Sequence, residues 1–288
     1  MKRLFRVFVC IITALTLSVM CMGLFACKKE DIRQAEVKVS VYDTANSEFK
    51  TLTMTVDLYR HLAPKTCDAI IKYIKEGYYN NTLVYKFASA YNNQIMVGDY
   101  LYSEGKVIKN AVKPQIEGEF TYGGTQGSNL VNKKGSVGLW RSYYACDTTD
   151  MYKTSSVAMN SGRSTWYMPD NNAITSYDGY FCVFAQIDTS VSANETALSL
   201  MKELFNYSSY YTTYEVYYTG TYDKTKADED FGLTFHVVES ADFNEEEIED
   251  LFVAEGQQLV SYNHHSIKVP NVDENNKCYA EIVSVKMK

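Results

Sequence analysis

Residues 53–87 read TMTVDLYRHLAPKTCDAIIKYIKEGYYNNTLVYKF, and this stretch decides the fold. Thr53 to Tyr59 alternates side chains as a strand with one buried face does. Pro64 opens a helix at the first-turn position, where its missing N–H costs nothing. Cys67, Ile70, Ile71 and Ile74 recur at i, i+3, i+4 and i+7, an apolar stripe on that helix, with Lys65, Asp68, Lys72 and Lys75 on its solvated side. Gly77 supplies a left-handed stop, and Thr82 to Phe87 resumes a strand. The unit is strand, short capped helix, strand.

Outward from it, Val37 to Tyr42 and Thr51 to Tyr59 are expected to pair around a turn at Thr44 to Ser47. Gln94 to Val97 reads as a short strand ending in Gly98-Asp99, and Tyr122 to Asn129 as a Gly-rich loop. That loop lacks the Gly-Lys-Ser/Thr and the helix that a phosphate cradle needs. Gly135 to Trp140, Ser155 to Met159 and Tyr180 to Ile187 read as strands. Glu195 to Phe205 carries Leu198, Met201, Leu204 and Phe205 at helical spacing. Beyond it come a tyrosine-dense run from Tyr207, a strand at Phe231 to Val238, an amphipathic helix in NEEEIEDLFVAEG, and a closing strand at Tyr279 to Met287.

The first 26 residues are an export signal in character. Lys2, Arg3 and Arg6 precede an apolar run from Phe8 to Phe25. Leu24-Phe25-Ala26-Cys27 resembles the lipobox of bacterial lipoproteins, which makes Cys27 the expected lipidation site. The other reading is an uncleaved single-span anchor, the run being near the lower length limit for a span. Either way the body is expected on the extracytoplasmic face of a bacterial cell membrane. Past residue 26 the chain carries 25 basic against 35 acidic side chains, a net charge of −10. That balance argues against nucleic acid or anionic lipid as a partner, so membrane contact would come through the lipid on Cys27. Cys67, Cys146, Cys182 and Cys278 leave two readings open, a pair of disulfides or buried thiols. His61, His236, His264 and His265 have no ligand spacing, so neither a metal nor a cofactor is expected.

APKTCDAIIKYIKEGYYNNTLVYKF also resembles the opening of the cyclophilin-type peptidyl-prolyl isomerases, which read APKTVxNFxxLxxxGYYDGTxFHRV there. IMVGDY (residues 95–100), KKGSVGLWR (133–141) and YDGYFCVFAQI (177–187) follow in the order of that family's IQGGD, RGTVSMAR and LDGKHVVFGKV. The resemblance implies a mainly β fold: a closed antiparallel eight-stranded barrel capped by two helices, with an α/β insertion before the last strand. The chain then divides into a signal peptide (1–26), a tether (27–36), the barrel (37–206), the insertion (207–258) and the C-terminal part of the barrel (259–288).

The activity implied is rotation about X–Pro bonds, against an amide barrier of about 18–20 kcal/mol. The family uses an arginine donor and an apolar wall for the proline ring. Here Lys86 stands at the arginine position, keeping the charge without the planar fork. Met96 stands at the Gln of IQGGD. In TSSVAMN, Ser156, Val157 and Ala158 stand for the Gln-Phe-Phe of SQFFI. Ser176 and Phe181 fall near the family's Trp and His, and Trp166, Met168 or Tyr177 is a candidate to refill the pocket. Two functions stay open: a weak isomerase assisting the folding of exported proteins, and an inactive module that binds proline-containing peptides or proteins. A tyrosine platform for sugars or peptides, in the run after Tyr207, is a further reading.

Overall fold

The computed structural model describes residues 30–88, 93–121, 130–141, 156–170, 173–222, 234–240, 258–273 and 275–288. It divides into two units, Met1–Asp31 and Ile32–Lys288, and only the second is described at length. Cys27, Cys146, the Tyr122 to Asn129 loop and the NEEEIEDLFVAEG segment lie outside the described residues.

β1 (Ile32–Asp43) and β2 (Glu48–Tyr59) pair in full register around the expected turn at residues 44–47. β1 starts at Ile32, so the last five residues assigned to the tether are strand. Their alternation was masked by charge at Arg33 and Glu36. Helix α1 (Pro64–Lys75) has Pro64 in its first turn and buries Cys67, Ile70 and Ile74. Ala63 cannot cap it with a side chain. The buried Glu119 carboxylate does so instead, accepting the N–H groups of Lys65 (3.0 Å) and Thr66 (2.7 Å). Gly77 follows the helix at φ +72, as expected.

β3 (Thr82–Ala88) pairs with β4 (Asn93–Ser103), which runs on through Gly98-Asp99 rather than ending there. Glu104 and Gly105, both at positive φ, turn it back into β5 (Lys106–Lys109), a hairpin the sequence reading omits. β6 (Ser136–Leu139) follows. Ser156–Met159, expected as a strand, is one helical turn, α2. The strand that pairs with β4 and β6 is β7 (Trp166–Pro169). β8 (Cys182–Ile187) and helix α3 (Ser192–Leu204) come where expected.

The closing strand is β12 (Ala280–Met287). Strands β3, β12, β1, β2, β8, β6, β7 and β4 succeed one another, and the β3–β4 pairing closes them into an eight-stranded antiparallel barrel. Its interior holds Val37, Val39, Met54, Val56, Val84, Ile95, Val97, Trp166 and Phe184, together with the apolar stripes of α1 and α3. Cys67, Cys182 and Cys278 are buried thiols with no disulfide, which settles those three against bridging. Burial pushes the Cys182 thiol up to about 12 and the Cys67 thiol upward too.

β9 (Tyr211–Tyr222), β10 (Thr234–Ser240) and β11 (Gln258–Pro270) form an antiparallel sheet. β11 pairs with β9 along most of its length, and among the described residues it pairs with the barrel where Ser266–Lys268 meets Lys86–Ala88 of β3. The insertion also shares the packing: Tyr211 lies in the barrel's core, and Ile267 and Val269 lie against the outer face of β3.

Candidate functional site

The pleat sorts the side chains of β3. Val84 points into the barrel, while Leu83, Tyr85 and Phe87 belong to a second apolar cluster outside it. The neighbouring strands alternate likewise. Ile95, Val97, Trp166 and Met168 point in; Met96 and Tyr167 point out. Trp140 at the end of β6 and Phe181 before β8 complete an outer patch in which aromatic rings pack edge and face. Trp140 has its ring centroid 4.6 Å from Phe87, 5.4 Å from Phe181 and 6.0 Å from Tyr167. Tyr177 stacks on Phe181 at 4.4 Å. All five rings are buried. The Tyr167 hydroxyl donates to Asn132 Oδ1, and Gln94 Nε2 donates to the Tyr177 hydroxyl at 2.9 Å. Burial pushes the Tyr177 phenol up to about 12, so it stays protonated at neutral pH.

Beside this cluster lies a cavity of about 210 Å³, walled by Phe87, Met96, Trp140 and Ile267. Asp99, Lys113 and Arg163 also line it. The Asp99 carboxylate accepts hydroxyl hydrogens from Tyr85 and from Thr165 (2.6 Å for the latter).

Lys86 is not part of this arrangement. It shares its face of β3 with Val84, stands directly opposite Lys268 of β11, and carries its ammonium 5.6 Å from the Phe205 ring centroid. Burial and the Lys268 charge both push its pKa down.

The family model for cyclophilin type peptidyl-prolyl cis-trans isomerases (the CLD group included) matches residues 44–198, more than half of the chain. The chain belongs to that family. Among solved structures it is similar to a cyclophilin type peptidyl-prolyl cis-trans isomerase of Cryptosporidium parvum, at 15% identity over 57% of this chain and 83% of that one, with a TM-score of 0.36. A second structure of that enzyme, in the presence of the dipeptide Ala-Pro, matches at 15% identity over 55% and 83%, with a TM-score of 0.33. No curated protein matches the chain.

Of the residues that the cyclophilin motifs single out, the structure brings together Met96, Ala158, Tyr177 and Phe181. Lys86 faces the other way, and Ser156 is exposed at the start of α2. Val157 lies within α2, with its side chain outside the described residues. The strand that pairs with β4 and β6 lies in STWYM, residues 164–168, rather than in the expected Ser155 to Met159. STWYM carries a serine, one residue, two aromatics and an aliphatic, the same run of types as SQFFI. Trp140, at the alanine of the family's SMAR, is a residue that sequence reasoning missed. Its indole adds a large side chain where the motif has a methyl group.

Proposed function

We propose that the protein is a lipid-anchored, extracytoplasmic cyclophilin-family domain that binds peptide segments of exported proteins and isomerises prolyl bonds weakly at most. The observation that carries this reading is the direction of Lys86. A twisted amide needs a donor and a dry ring pocket on one face at one moment. Lys86 and the Tyr167–Tyr177–Phe181 cluster are on opposite faces of the sheet, and Trp140 adds its bulk to that cluster. What remains suited to a ligand is the neighbouring cavity with its mixed lining, the ordinary form of a binding site.

In a protease-coupled assay on a proline peptide, the purified body is expected to turn over near the uncatalysed rate, with Lys86→Ala leaving that rate unchanged. A rate far above background that Lys86→Ala removes would restore the isomerase that assists folding. The anchor has its own test. Cys27→Ser is expected to release the body from the membrane fraction once the signal is cleaved. Retention of that variant would mean that the apolar run itself holds the chain as an uncleaved span.

A further inference from the structure

The cavity beside the aromatic cluster also says which peptides it suits, given the reading of this face as a peptide-binding one. Its charged groups are not equally available. Both oxygens of Asp99 accept protein hydroxyls. Lys113 pairs with Glu76 at 2.8 Å, and its ammonium is bedded on Tyr73 and Tyr78, 4.9 and 4.7 Å from their centroids. Lys109 lies over Tyr100 at 4.5 Å. Arg163 differs. Its Nη1 donates to the backbone oxygen of Lys113 at 2.7 Å, and among the described residues no carboxylate pairs with it. A half-buried guanidinium thus lines an apolar-walled cavity with most of its donor edge uncommitted. Val112, 81% exposed on the same lining, marks the side open to solvent.

We propose that this cavity takes one carboxylate-bearing side chain of an extended peptide, gripped by Arg163, with apolar flanking residues against Val112 and the aromatic walls. A guanidinium presents donors in a planar fork that matches a carboxylate, and the match gains strength away from bulk water. A volume of about 210 Å³ is enough for one acidic side chain and too little for a folded element. The chain's overall negative charge makes this local positive group the feature that would distinguish an acidic segment from others.

The test uses three blocked, fluorescein-labelled pentapeptides with a central Glu, Gln or Lys between valines, titrated against the protein by anisotropy. The Glu peptide is expected to bind about tenfold tighter than the Gln peptide, the range of a charge-assisted hydrogen bond. Arg163→Ala should remove that preference while leaving the Gln peptide's affinity in place. Arg163→Lys, which keeps the charge, should retain part of the preference and guards against a folding defect in the alanine variant. Equal binding of Glu and Gln peptides would overturn the carboxylate assignment and leave the peptide-binding reading standing. Preference for the Lys peptide would overturn it in favour of Asp99. Binding of none of the three would overturn it together with the peptide-binding reading.

Discussion

Arg141→Ala is expected to lower the free energy of unfolding by about 3 kcal/mol or more. Arg141 is 2% exposed, an unusual depth for a guanidinium. It is there because its planar fork serves two backbone carbonyls that are distant in sequence. Nε donates to the oxygen of Ala158 at 3.2 Å and Nη1 to the oxygen of Tyr180 at 2.6 Å. The guanidinium carbon also lies 4.8 Å from the centroid of Phe120 and 5.9 Å from that of Phe181. Alanine would leave the Ala158 oxygen to Ser161 alone, take the Arg141 donor from the half-buried Tyr180 oxygen, and leave a void among aromatic rings at the same time. Hydrogen bonds to charged groups contribute roughly 1.5–3 kcal/mol each, and the two losses share one site, so they will not simply add. Lysine is expected to recover less than half, since one ammonium cannot reach both carbonyls with the same fork. Urea denaturation measures this directly, as a lowered midpoint with an unchanged slope. A loss under about 1 kcal/mol, the scale of an ordinary surface substitution, would show that Ser161 and water satisfy the two carbonyls without the guanidinium.

Much of the fold was legible because short-range chemistry agrees with it. Pro64, the 67-70-74 stripe and Gly77 set α1, and the 44–47 turn between two alternating runs set the first hairpin. Four ordered motifs then pointed to the barrel. What was missed depends on partners that a linear reading cannot see. The cap of α1 is Glu119, more than fifty residues away. β7 is four consecutive buried residues, so it shows no alternation to detect. Only with that strand in place does Tyr167 stand out as part of the outer wall, with Trp166 turned inward.

Lys86 is a different case, since its direction was available in TLVYKF. A strand puts Val84 and Lys86 on one side and Tyr85 and Phe87 on the other. Once Val84 is inside the barrel, Lys86 cannot point to the outer cluster. The motif alignment assigned a residue to a role, but the pleat assigns it to a face. Trp140 shows the converse. One residue changed within an otherwise well-matched motif, and its bulk reaches four other rings of the candidate site.

Gly138→Ala should destabilise the domain by about 3 kcal/mol, the upper end for overpacking a core, although it adds a single methyl group. Gly138 sits in β6, paired with Tyr167 of β7 on one side and Val183 of β8 on the other. A Cβ there would stand 2.2 Å from both Cε1 and Cζ of the Tyr167 ring and 2.4 Å from its oxygen. The ring packs directly against the glycine and is hemmed in. Trp140, Phe181 and Tyr177 surround it at 6.0, 5.3 and 5.9 Å, and its hydroxyl is tied to Asn132. No positive φ is involved at Gly138, so the cost is steric and should vanish with the ring. The double variant Gly138→Ala/Tyr167→Leu provides that control. Contacting residues couple, and the pair is expected to lose at least about 1 kcal/mol less than the sum of its single variants. Strict additivity would mean that the glycine is required by the strand itself, and that the outer face was not built around the Tyr167 ring.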